Sequence, residues 1–220
     1  MDARPTFLRD PWTAVAALSA LGFFAIAHVI NGQGTVWLDA PVASVARGLP
    51  VPVEIWLAIT QAGGLFLVLV GAALVVALVA LRRPRLAVTV ALALVAAFLL
   101  TAEVKVFVGR PRPPDPVAPY EGYSFPSGHT LNATVTYGIA ALLLWRSDLS
   151  PRVRLVAAGA LVALIAAVGL SRIALGVHYP SDVVAGWLAG TAIVGVVALA
   201  DTADRARAAR GGLSRAARRR

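Results

Sequence analysis

Cysteine is absent from the 220 residues, which excludes disulfides and thiolate chemistry and leaves the redox compartment unreadable. Acids are scarce: 11 Asp and Glu stand against 20 Lys and Arg, for a formal charge of +9. No polar stretch is long enough for a second domain, and no internal repeat is present. What fills the chain is hydrocarbon. Hydrophobic residues make up 59% of it, and the mean hydropathy is +0.78. Soluble domains rarely reach that value, so an all-α integral membrane protein is expected. A basic balance often signals nucleic acid. Here the bases sit between apolar runs and in a C-terminal tail, as topology signals do, so no nucleic-acid partner is expected.

A spanning helix needs about 20 apolar residues. Six segments supply them: Trp12–Ile30, Gly63–Leu81, Leu86–Phe107, Ser127–Trp145, Val153–Ser171 and Val183–Leu199. Val53–Ala62 reads as a helical approach to the second, with a bend at Gly63-Gly64. Asp39–Arg47 reads as a short helix on the membrane surface, with Trp37 and Trp56 as interfacial anchors. Ala25-Ile26-Ala27 mimics a signal-peptide cleavage pattern. The acidic residues Asp2 and Asp10 in the leader, and the length of the apolar stretch, argue for a retained first span. The chain thus divides into a six-span domain over 1–204 and a basic, disordered tail over 205–220, suited to anionic lipids of the inner leaflet.

Six spans put both termini on one side. Fifteen of the 20 bases fall there, and Arg47, Lys105, Arg110, Arg112 and Arg172 fall on the other. The positive-inside rule then predicts cytoplasmic termini in a multi-pass protein of the inner (plasma) membrane. Four of the five outer bases belong to, or adjoin, three polar clusters: Lys105-x6-Arg112-Pro113, Pro126-Ser127-Gly128-His129 and Ser171-Arg172-x5-His178-x3-Asp182. The span count brings all three to the extracytoplasmic face.

These clusters hold the groups that grip and cleave a phosphate ester. Lys105, Arg112 and Arg172 can neutralise a phosphate and the charge on its equatorial oxygens in the transition state. Ser127 is a good N-cap, Gly128 admits close backbone approach, and the N–H groups of that helix start form an anion site. His129 suits a general acid for the departing alkoxide. His178 and Asp182, four residues apart, share a face if the last span starts near Pro180 and the turn before it is helical. A carboxylate on one ring nitrogen raises the basicity of the other. His178 can then attack phosphorus, forming a phosphohistidine that water resolves. Asp182 is the only acid in the clusters, and neither Asp115 nor Glu121 has metal-ligand spacing, so no metal or other cofactor is expected.

The three clusters, complete and in order over residues 105–182, resemble the signature motifs of the type 2 phosphatidic acid phosphatase superfamily, the lipid phosphate phosphatases. The resemblance implies a helical core similar to that of vanadium haloperoxidases, metal-independent hydrolysis and a phosphohistidine intermediate. By motif position it implies His178 as nucleophile, His129 as acid and Asp182 as the residue orienting His178. Lys105, Arg112, Ser127, Gly128 and Arg172 would hold phosphate. The expected substrate is a lipid phosphate or diphosphate in the bilayer, of the phosphatidic acid, phosphatidylglycerol phosphate or undecaprenyl diphosphate type. Phosphoryl transfer to an alcohol and non-catalytic transport of lipid phosphates are the alternatives; a haloperoxidase is disfavoured. Outside the motifs, Glu103 is expected to pair with Arg110, about two turns outward. His28 reads as an interfacial residue, and the sequon Asn132-Ala133-Thr134 is discounted because it lies within a span.

Overall fold

Proline opens four of the helices: α1 (Pro11–Gln33), α5 (Pro84–Val108), α7 (Pro151–Ala174) and α8 (Pro180–Ala217). At that position its missing N–H costs nothing and its fixed φ suits the helix. The remaining helices are α2 (Asp39–Arg47), α3 (Val53–Gln61), α4 (Phe66–Ala80) and α6 (Gly128–Trp145). The computed structural model describes residues 10–117 and 120–217, and all its regular structure there is helical. Side chains add caps where the sequence permits. Trp12 N donates to Asp10 Oδ1 at 2.9 Å, and α5 stops at Gly109 in the left-handed conformation, φ +62°.

Five segments are long and apolar enough to cross a membrane: Pro11–Asn31, Val53–Ala80, Pro84–Val108, Pro151–Ala174 and Pro180–Ala209. Their outer faces are hydrocarbon, with Phe24, Leu69, Phe98, Phe107 and Val156 exposed as a lipid-facing belt requires. The second of them joins α3 to α4 across a break at residues 62–65, where Gly63-Gly64 lie. The sixth expected span is α6. It carries His129, Thr130, Asn132, Thr134, Thr136 and Tyr137, and so falls short of the others in hydropathy. The reason is its surroundings: α6 packs against α7 and α8 and buries residues from Thr130 to Leu142, so little of it needs to be lipid-soluble.

The ends of the bundle fix the directions of the helices. At one end Arg110, just past α5, reaches the start of α8 and the residue capping α1. At the other, Asp201 of α8 accepts from Arg83 before α5 (2.5 Å), Arg146 after α6 (2.7 Å) and Arg205 (2.9 Å). Helices α1, α5 and α7 therefore run toward the first end, and α4, α6 and α8 run back. Asp182 and Asp201 are separated by about 28 Å at 1.5 Å per residue, close to the hydrocarbon thickness of a bilayer. Gly186 and Gly190 let α8 lie against α6. A Cβ on Gly190 would meet Thr134 Cβ at 2.5 Å, and one on Gly186 would meet Ser127 O at 3.0 Å.

Several expectations need correction. Trp56 is not an interfacial anchor: it is buried with Ala174, Leu175 and Val177. Trp37, by contrast, is exposed. Glu103 does not pair with Arg110; it is exposed on α5, while Arg110 is enclosed by Asp39 and Asp182. The 205–217 stretch, expected as disordered tail, continues α8 as helix to Ala217. The basic residues Arg4, Arg9 and Arg218–Arg220 lie outside the described residues.

Candidate active site

The three clusters meet at the end of the bundle where α5 and α7 finish and α6 and α8 begin. His178 sits in the link between α7 and α8, buried, with its backbone N–H donating to Arg172 O at 3.3 Å. Helix α8 starts at Pro180 as expected, yet the residues before it form bends, not helix. The His178–Asp182 contact survives this because the carboxylate folds back over the helix start. Asp182 Oδ2 lies 3.4 Å from His178 Nδ1 and accepts from Tyr179 N at 2.9 Å, the reach-back half of a capping box. On the other side of the ring, Arg112 Nη1 approaches His178 Nε2 at 3.3 Å. A guanidinium only donates, so Nε2 is the acceptor and the proton lies on Nδ1, toward Asp182. Burial, with the nearby cations, pushes His178 down to about 4 against the pull of Asp182, so its ring is neutral at pH 7.

Backbone carbonyls orient the cations. Arg112 donates to Gly122 O (3.0 Å), Glu121 O (3.0 Å) and Val177 O (2.7 Å). Lys105 Nζ donates to Tyr123 O. Burial, then the charge of Arg172, hold the Arg112 guanidinium below its ordinary value. Arg172 is almost fully buried; its Nη1 donates to Thr60 Oγ1 (2.6 Å) and the Tyr120 hydroxyl (3.2 Å). Its Nε has no partner within the protein. An unsatisfied buried guanidinium nitrogen is costly, and it suits an anion that would complete it.

Ser127 occupies the N-cap position of α6, but its hydroxyl bonds Thr130 Oγ1 at 2.9 Å in place of a backbone N–H. Its own N–H donates to Asp182 O at 3.0 Å, tying α6 to α8. The first-turn N–H groups of α6 are thereby left without a side-chain cap. Gly128 answers to packing: a Cβ there would meet Thr101 Cγ2 at 2.9 Å. His129 packs on the α3–α4 break, where a Cβ on Gly63 would come within 3.1 Å of His129 Cβ and 2.6 Å of Val168 Cγ1. The bend thus makes room for His129.

Sequence reasoning missed Tyr120, Thr60, Arg110, Asp39 and Ser181. The Tyr120 ring lies under Arg172 (4.5 Å) and Arg112 (5.6 Å) and edge-on to His129 (centroids 6.5 Å apart). Nothing in its local sequence signals this. Arg110, Asp39 and Ser181 form one buried hydrogen-bonded group around Asp182. A signal existed for Arg110: an Arg at the end of an apolar span needs a carboxylate, and few are available. His28 is exposed. Among the described residues no three His, Cys, Asp or Glu side chains gather as metal ligands. A cavity of about 630 Å³ lies beside α2, lined by Thr35, Trp37, Arg47, Pro113 and Tyr179 among others, but none of the eight site residues lines it.

A helical bundle with membrane-length apolar helices and two histidines, a carboxylate and three cations gathered at one end defines a class, that of integral membrane proteins with a polar, cationic site at the end of the bundle. Comparison with known proteins narrows it. Residues 85–205 match the PAP2 superfamily, and the chain belongs to that family. It is 36% identical over 97 residues to phosphatidylglycerophosphatase B of Bacillus subtilis, and 35% identical over 99 residues to lipid A 1-phosphatase of Rhizobium johnstonii. These matches cover 42% and 40% of this chain, and 46% and 36% of the relatives, so the chain spans less than half the length of either. The crystal structure of a transmembrane PAP2-type phosphatidylglycerolphosphate phosphatase from Bacillus subtilis superposes with a TM-score of 0.72. It covers 85% of this chain and 96% of that one at 24% identity. Aquifex aeolicus LpxE gives 0.59 at 24% identity over 74% of this chain and 96% of its own. At those identities the likeness concerns the fold.

Proposed function

We propose that this protein hydrolyses a phosphate monoester or diphosphate headgroup from a membrane lipid, through a phosphohistidine on His178. The observation that carries the reading is the His178 ring: the proton lies toward Asp182 on one side, and the unprotonated Nε2 faces Arg112 at 3.3 Å on the other; the buried Nε of Arg172 has no partner within the protein. Nε2 attacks phosphorus in line, and the P–O bond to the lipid breaks. His129 gives its proton to the departing alkoxide. It then takes a proton from the water that breaks the P–N bond and releases phosphate. Lys105, Arg112, Arg172 and the first-turn N–H groups of α6, with Ser127 and Gly128 shaping that turn, hold the equatorial oxygens.

Phosphatidylglycerol phosphate and lipid A type substrates are supported by the names of the two relatives; phosphatidic acid and undecaprenyl diphosphate share the same reacting group. The distribution of bases supports an extracytoplasmic site, with α6 as the sixth span. The three cations supply the charge a metal would otherwise bring, so activity should persist in EDTA. Loss of activity in the chelator with restoration by Mg²⁺ would overturn this mechanism. The broader test is phosphate release from a panel of lipid phosphates by purified protein in detergent. His178→Ala should abolish turnover, and phosphate release retained in it would remove His178 as the nucleophile; a biological activity left intact in a variant that releases no phosphate would return the protein to the transport alternative. Phosphate recovered on a labelled alcohol acceptor would mark a phosphotransferase.

A further inference from the structure

Arg110 is 2% exposed and committed at every nitrogen. Nη1 donates to Asp182 Oδ1 (2.5 Å) and Ser181 Oγ (2.8 Å), Nη2 to Asp39 Oδ2 (2.7 Å), and Nε to Gly34 O (3.0 Å). The guanidinium also lies over the Tyr179 ring at 4.1 Å. Asp39 accepts in turn from Ser181 N (2.9 Å), Ser181 Oγ (2.8 Å) and Val36 N (3.1 Å). So filled, Arg110 differs from Arg172, whose Nε is open. It faces the far oxygen of the carboxylate that faces His178.

We infer that Arg110, Asp39 and Ser181 form a positioning unit that fixes the Asp182 carboxylate against His178 Nδ1, so that Arg110 acts on the reaction through Asp182 and not by binding phosphate. Three features carry this. First, Asp182 has two oxygens with separate duties: Oδ2 serves His178 and Tyr179 N, and Oδ1 is held by Arg110. Without that hold only the contacts at Oδ2 restrain the carboxylate, and the longer of them is the one to His178. Second, the charges are graded. Arg110 alone would neutralise Asp182, but Asp39 shares its positive charge. The trio keeps one net negative charge to meet the positive charge that grows on the His178 ring during attack. Third, Asp39 opens α2 while Arg110 follows α5, so the unit brings a surface helix to bear on the site from outside the three motifs.

The inference rests on the assignment of His178 as nucleophile, and the experiment separates the two. kcat and KM for phosphate release from dioctanoyl phosphatidic acid are measured on the full-length protein in detergent, for Arg110→Gln, Asp182→Asn, their combination and His178→Ala. Arg110→Gln should lower kcat about 10- to 100-fold, the usual range for residues that orient a reacting ligand, with KM changed by less than about threefold. In the Asp182→Asn background the same substitution should change kcat by less than about threefold, because the residue through which it acts is already gone. A rise in KM with kcat retained would make Arg110 a phosphate ligand and overturn the inference. So would losses that multiply in the combined variant. Arg110→Gln alone leaves two buried carboxylates together, so Arg110→Gln/Asp39→Asn, which keeps the net charge of the cluster, is the companion. It should elute as a single species and show the same kcat loss; wild-type kcat in it would overturn the inference. Turnover in His178→Ala would instead remove the nucleophile assignment.

Discussion

Tyr120 shows how much one side chain can settle. Its ring spaces Arg112 from Arg172 and its hydroxyl accepts from Arg172 Nη1. Tyr120→Phe keeps the ring and deletes one hydrogen bond to a charged group. That bond is worth about 1.5–3 kcal/mol, so kcat/KM should fall about 10- to 100-fold; steady-state kinetics on a lipid phosphate check it, and an unchanged value would mean the hydroxyl is idle. His178 gives a second outcome. Burial first, then its cationic neighbours, lower the folded-state value to about 4, against about 6.5 in the unfolded chain. Between those values the unfolded chain binds more protons, so the stability contributed by neutral His178 is complete above pH 6.5 and is lost as pH falls toward 4. Thermal unfolding in detergent from pH 7.5 to 4.5 should show a steeper loss for wild type than for His178→Asn, and parallel curves would refute the shift. The motif residues were legible in sequence because their spacing is local. Thr60, Tyr120 and Asp39 were not, because each acts through a partner 52 to 142 positions away.

At the scale of elements, lipid does the sorting. Spans facing hydrocarbon on most of their surface announce themselves by composition; α6 faces protein and does not. The break between α3 and α4 was legible from Gly63-Gly64, while the burial of Trp56 depends on the α7–α8 link packing over it. Asp201 offers a test away from the site. It is fully buried and accepts from Arg83, Arg146 and Arg205, so it holds the starts and ends of α5, α6 and α8 in register. Removing one partner of a buried ion network typically costs about 3–5 kcal/mol. Asp201→Asn should therefore lower the unfolding temperature markedly while KM of the surviving folded protein stays within about twofold. A large KM change would show that this end communicates with the other.

For the molecule as a whole, the absence of cysteine is an experimental advantage. Single cysteines at Val117, in the loop between the first two clusters, and at Asp148, between α6 and α7, are both exposed and lie at opposite ends of the bundle. A membrane-impermeant maleimide should label the first in intact cells and the second only after permeabilisation. The reverse pattern would put the site in the cytoplasm. Only this topology, not the fold, hangs on counting bases, and for that reason it was legible merely as a charge statistic. The clamp at Asp201 also has a mechanical meaning. With Asp182 held at its first turn and Asp201 gripped by Arg83 and Arg146 from outside the helix, α8 cannot slide along its axis without tearing ion pairs at both ends of the bundle. The frame of α5, α6 and α8 is stiff, and accommodation of any bulky guest falls to elements outside it, among them α3 and α4, whose joint at Gly63-Gly64 lies against His129.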